Sequence, residues 1–156
     1  MVIIDFKIAS EANAFFEVGE KEYLSHKKIN SEKDMYATIP AIVNLAFSIE
    51  LFLKCMLDEK VRGHDLNKLF HSLPDNDRNA IMQLTITHMK TWGFECDEKD
   101  FWNYLDKNKL VFKEWRYFYQ RGKTVNIVFL LALGCSLRNL INLTKELGGN
   151  KANTKL

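Results

Sequence analysis

The stretch TIPAIVNLAFSIELFLKCMLDEK, residues 38–60, decides the fold. Apolar residues fill most of its positions, the pattern of a helix enclosed by protein on most sides. No run in the chain alternates with a strand's period of two, and only two prolines interrupt 156 residues. The segment predicts a helix from Thr38 to Lys60, with Pro40 in the first turn, where the missing N–H costs nothing. Its few polar residues stand in pairs four apart, Asn44/Ser48 and Glu50/Lys54, on different faces at about 100° per residue. Glu50 and Lys54 have the favourable order for an i,i+4 ion pair, worth about 0.2–0.5 kcal/mol where exposed. They form either an ordinary solvated pair or a pair with a functional or buried-network role.

RGHDLNKLFHSLP, residues 62–74, follows directly. Gly63 sits where a helix C-terminus wants a residue tolerant of positive φ. Asp65 then caps a short helix with Leu66, Leu69, Phe70 and Leu73 at i, i+3, i+4, i+7, and Pro74 stops it. His64, just before the cap, and His71, beside the apolar stripe, read as residues sealing a helix joint. The functional alternative is that His64 belongs to a site.

Outward from this centre the pattern stays helical. A first helix is expected from Ser10 to His26, with Ser10 as N-cap and Ala14, Phe15, Val18, Tyr23 and Leu24 as its apolar stripe. KKINSEKD (27–34) is a polar loop. A helix from Asp75 to Trp92, capped by Asp75 or Asp77, carries Ile81, Leu84, Thr85, His88 and Met89 on one face. GFECDEKD (93–100) leads as a loop into an aromatic and basic segment, 101–123. The last helix is expected from Thr124 to Leu147, before a polar, disordered tail at 148–156. The expectation is all-α: one domain over 1–147, an antiparallel bundle of five or six helices with the second and last as the central pair.

Hydrophobic residues make up 47% of the chain, enough for a sizeable core. A net charge of +2 is too small for a general nucleic-acid footprint, so an anionic partner needs a local patch. Cys55, Cys96 and Cys135 show no Cys-x-x-Cys spacing, which argues against a disulfide framework or thiolate metal site and for a reducing compartment. Asp5 breaks the opening apolar run, unlike a signal peptide. The longest uninterrupted apolar run, 127–135, is shorter than the roughly 20 residues of a membrane span. A soluble, cytoplasmic chain without a membrane partner is expected.

RGKT (121–124) lacks the glycine of a phosphate-binding loop, since Tyr117 stands in that place. No His-x-x-x-His or Glu-x-x-His pair offers metal-ligand spacing, so neither metal nor cofactor is expected. EWRYFYQRGK (114–123) interleaves Arg116, Arg121 and Lys123 with Trp115, Tyr117, Phe118 and Tyr119. Such a mixture stacks bases and forks phosphate oxygens. The structural alternative puts Trp115 and Phe118 in the core and turns Arg116 inward onto Glu50.

IVNLAFSIELFLKCML, then GHDLNKLF and later EWRYFYQ, together resemble the HEPN superfamily of small prokaryotic helical-bundle domains, over most of the chain from about Pro40 onward. The resemblance implies an all-α bundle, frequent homodimerisation and association with RNA. Many members are metal-independent endoribonucleases of toxin–antitoxin, abortive-infection and CRISPR-linked defence systems; others are RNA-binding or interaction modules. Active members carry Arg, four to six residues, then His. Counting from Arg116, those positions hold Arg121, Gly122 and Lys123, and neither arginine nor glycine exchanges a proton near neutral pH. The expected function is therefore a catalytically degenerate RNA-, nucleotide- or partner-binding protein in a bacterial defence setting. Arg116, Tyr119, Arg121 and Lys123 would contact phosphate and base, and a second copy, RNA or a cognate antitoxin would be the partner. One alternative is an endoribonuclease toxin with a rearranged centre, Arg116 stabilising charge and His64 moving the proton. Another is a structural dimerisation module.

Overall fold

A computed structural model describes residues 3–26, 32–57, 61–116 and 125–152. Among them are seven helices and no strand: α1 (Phe6–Ser25), α2 (Glu32–Cys55), α3 (Leu66–His71), α4 (Asp75–Thr91), α5 (Glu98–Lys107), α6 (Val111–Trp115) and α7 (Ile127–Ala152). The all-α expectation holds, with more helices than the five or six expected. The extra one arises because Asn108 breaks the aromatic segment. This buried side chain donates Nδ2–H to the Tyr104 carbonyl (2.8 Å) and accepts the Asn126 amide on Oδ1 (3.2 Å). It thereby ends α5 and fixes the approach to α7.

The N-cap of α1 is Asp5, whose Oδ1 accepts from the amides of Lys7 and Ile8 at 3.0 and 3.2 Å. Ser10, expected in that role, lies inside the helix and donates its hydroxyl to the Phe6 carbonyl (2.9 Å). The buried face of α1 is Ala9, Ala12, Phe16 and Gly19, whereas Ala14, Phe15, Val18 and Leu24 of the expected stripe are exposed. Small residues prevail over large ones here because α1 presses closely on α2. A Cβ at Gly19 would lie 2.8 Å from Leu45 Cγ and 2.9 Å from the Leu45 amide nitrogen. The Asp5 amide donates to the Cys55 carbonyl (2.9 Å), so the start of α1 meets the end of α2 and the two run antiparallel.

Helix α2 starts at Glu32, before the expected Thr38, so Pro40 falls in its interior and cannot donate to a preceding carbonyl. It packs on α1 and, through Leu45, Ile49, Phe52 and Leu53, belongs to the same buried cluster as Phe129, Leu130, Leu133 and Leu137 of α7. Thr38–Cys55 and Ile127–Gly148 are long and apolar enough to cross a membrane by length and composition, although 56% of each is buried within the bundle. The longest uninterrupted apolar run understated both. Helix α4 joins α7 through a buried hydroxyl pair, Thr85 Oγ1 and Ser136 Oγ, 3.0 Å apart. Pro74, not Asp75 or Asp77, occupies the N-cap position of α4, and both aspartates lie in its first turn. The buried face of α4 adds Met82 and Ile86 to Ile81, Thr85 and Met89, while Leu84 and His88 are half-buried.

Asn126 caps α7, its Oδ1 accepting from the Phe129 amide (2.9 Å), two residues beyond the expected start at Thr124. The helix then continues to Ala152 through the first residues of the expected tail; residues 153–156 lie outside the described set. All three cysteines are buried free thiols. Burial, helped by the nearby Asp5 carboxylate, pushes the Cys55 thiol up to about 12. Burial also raises Cys96 and Cys135.

Replacing Gly19 with alanine forces the α1–α2 contact apart. The variant is expected to lose about 1–3 kcal/mol, as overpacked cores do, despite a gain in helix propensity of about 1 kcal/mol. Urea unfolding with an unchanged m-value checks this. A second prediction concerns His88, whose buried Nε2 has no hydrogen-bond partner among the described residues and whose ring stacks on Trp92 at 5.6 Å. Burial lowers its proton affinity below the ordinary 6.5. The unfolded chain therefore binds the proton more readily, and the His88 contribution is complete above about pH 6.5 and falls on acidification. His88→Phe, which preserves the stack, should lose less stability than the wild type between about pH 7.5 and pH 5, measured by urea midpoints.

Candidate functional site

Glu50 and Lys54 occupy the last two turns of α2, one above the other. The Glu50 side chain is 2% exposed, and Lys54 Nζ lies 2.7 Å from its Oε1. Of the two sequence readings of this pair, the buried network is the one observed. Beyond α2 the chain turns back. Gly63 takes φ +106°, a conformation that strains any residue with a Cβ, and Asp65 caps α3 by accepting the Lys68 amide (3.1 Å). The Leu66 amide donates to the Lys109 carbonyl (2.8 Å), which ties the joint to the α5–α6 turn.

His64 is thereby returned over α2, where its Nδ1 lies 2.9 Å from Glu50 Oε2 and 3.0 Å from Oε1. An ionised carboxylate only accepts, so Nδ1 carries the hydrogen, and in the neutral imidazole Nε2 presents its lone pair. The imidazole is 42% exposed. Among the described residues, Nε2 has no hydrogen-bond partner. Lys54 already balances the Glu50 charge, so His64 is not needed as a counter-ion. A neutral imidazole held this way can accept a proton at Nε2.

Helix α6 supplies the other wall. The Phe112 ring centre lies 5.6 Å from that of His64 and 5.6 Å from the Arg116 guanidinium carbon. His64 and Arg116 thus lean on one ring and stand no more than twice that distance apart. Phe112 stacks on Phe47 (4.8 Å), and Phe47 meets the edge of Phe15 (4.7 Å), so the wall is braced from α2 and α1. Arg116 is exposed at the end of α6.

The structure therefore joins four of the residues singled out from sequence: Glu50, Lys54, His64 and Arg116. It corrects one relation among them. Arg116 does not turn inward to neutralise Glu50, because Lys54 and His64 occupy that carboxylate. Trp115 is buried, as its core reading required. Tyr119, Arg121 and Lys123 lie outside the described residues. His71 stands apart from this cluster, exposed, with Nδ1 on the Asn67 carbonyl (2.8 Å) and its ring against Trp102. Among the described residues, no three His, Cys, Asp or Glu side chains converge as metal ligands. Sequence reasoning missed Phe112 and Phe47. The available signal was the i,i+4 spacing of Phe112 and Arg116, which sets an arginine over an aromatic ring on one helix face.

The geometry predicts that His64 is the Nδ1–H tautomer near pH 8, visible in long-range ¹⁵N–¹H correlation spectra. In Glu50→Gln, which offers a weaker acceptor and leaves Lys54 without its anion, that preference should weaken and stability fall by about 1–3 kcal/mol. An Nε2–H tautomer in the wild type would contradict the assignment. Against known proteins, no family model, no curated protein and no solved structure matches this chain.

Proposed function

We propose that this chain is a HEPN-like RNA-processing protein that cleaves RNA without a metal ion at a rearranged centre of His64, Glu50 and Arg116. The observation that carries this reading is the contact between the Glu50 carboxylate and His64 Nδ1, beside an arginine that shares the Phe112 ring. Conversion of the phosphodiester needs a base for the 2′-hydroxyl, a cation for the charge that develops on phosphorus, and a proton for the departing 5′-oxygen. His64 Nε2 takes the first proton as the 2′-oxygen attacks phosphorus. The imidazolium so formed is stabilised by Glu50 and returns a proton to the leaving 5′-oxygen, directly or through water, leaving a 2′,3′-cyclic phosphate. Arg116 faces the phosphoryl oxygens in its fixed fork geometry. The imidazole missing from the usual place after Arg116 is thus replaced from the α2–α3 joint.

Recognition of RNA or a nucleotide without cleavage is the second reading. It is favoured by the outward position of Arg116 over Phe112, which suits phosphate contact even where no proton moves. On either reading, pairing with a second copy or a cognate antitoxin in a defence setting follows from the HEPN resemblance alone.

Incubating the protein with end-labelled single-stranded RNA in EDTA separates the two. Cleavage to 2′,3′-cyclic ends is expected, reduced about 10²-fold or more by His64→Ala and by Arg116→Ala, the scale of a lost general base or charge stabiliser. Cleavage indifferent to His64→Ala would overturn the centre. Salt-sensitive binding with intact RNA would establish recognition in its place.

A further inference from the structure

A second cationic feature lies on the other side of α1. Asn13 and Phe15 are two positions apart, about 200° around that helix, so the Asn13 side faces away from the Phe15–Phe47–Phe112 row. There α1 and α7 flank a cleft of about 200 Å³. Its floor includes Phe52 and Ile141, both buried, and its polar lining includes Asn13, Arg138, Asn142 and Lys145.

The arginine is the informative member. Arg138 is half-buried, with its guanidinium carbon 4.5 Å from the centre of the Phe16 ring. Phe16 is itself immobilised in the core, and a Cβ on Gly134 would come within 2.4 Å of it. Held by that ring, Arg138 makes no ion pair and no hydrogen bond within the described structure. Five N–H donors in a fixed plane thus have no protein acceptor, although the guanidinium has already given up part of its solvent. Lys145, seven residues on and two turns along the same helix face, likewise pairs with no carboxylate among the described residues. Asn142 stands between them. Across the cleft, Asn13 donates one amide hydrogen to Glu17 (2.9 Å) and retains a second.

We infer that this cleft binds the phosphate group of a monoester, with Arg138 forking two oxygens, Lys145 balancing the second charge and Asn142 completing the contact. Two cations without an ion pair among the described residues match a dianion better than a carboxylate, and the apolar floor accommodates the ester's organic part. The same group could come from a small nucleotide or from the 5′ end of an RNA chain. The site is independent of the His64 centre and stands whether or not that centre cleaves.

Titrations of the ¹⁵N-labelled protein test it, with inorganic phosphate, AMP, adenosine, and an RNA oligonucleotide with and without a 5′-phosphate. Saturable shifts at Asn13, Arg138 and Asn142 are expected with phosphate-bearing probes and not with adenosine. Affinity should fall about tenfold or more in Arg138→Met, which keeps a side chain against Phe16, and in the exposed-site variant Lys145→Gln. AMP binding more tightly than inorganic phosphate assigns the small nucleotide. Preference for the 5′-phosphorylated oligonucleotide, with AMP silent, assigns the RNA end. Silence from every phosphate-bearing probe, or unchanged affinity in both variants, overturns the proposal.

Discussion

A carboxylate with almost no access to water sits in the last turns of α2, and much of the surrounding architecture answers to it. Burying an ion without compensation costs several kcal/mol, so Glu50 requires partners with good geometry. Lys54 comes from the same helix, one turn on. The second partner comes from fourteen residues later, so the chain must reverse sharply after α2. Gly63 permits that reversal, Asp65 starts α3 immediately afterwards, and the Leu66–Lys109 backbone bond fastens the result to the α5–α6 turn. One buried charge thus links core helix α2 to three short ones, and the same links carry His64 and Arg116 to a common ring.

The sequence was most legible where geometry is local. The α3 cap, its buried Leu66, Leu69 and Phe70 and the glycine before it follow from short-range rules, and the structure repeats them, with Leu73 buried just past the helix end. Helix α1 was legible as a helix but not in its orientation. Phe15, Val18 and Leu24 look like a core stripe, yet the face turned inward is the one whose Ala9, Ala12 and Gly19 let two backbones approach. Periodicity weighs side chains one at a time, whereas packing depends on the shape of the partner, which sequence does not display. The split between α5 and α6 was hidden for a similar reason: Asn108 acts through Asn126, eighteen positions away.

The candidate site divides along the same line. Glu50 and Lys54 were readable as a pair, since one helix presents both, but whether water reached them depended on the joint folding over. His64 and Arg116 could be named as partners from chemistry alone, while the ring that brings them together could not. Phe112 is one aromatic among eleven phenylalanines, and its importance comes from touching Phe47, His64 and Arg116 at once.

The three cysteines have a practical consequence. Thiolate, not thiol, attacks oxidants and alkylating reagents, and burial holds all three sulfurs in the protonated form. Cys55 lies at the junction of α1 and α2, Cys96 leads into α5, and Cys135 lies within α7. Modification of each by a neutral-pH reagent would therefore register transient opening of its own part of the bundle. The chain carries three built-in clocks for local breathing, needing no introduced probe.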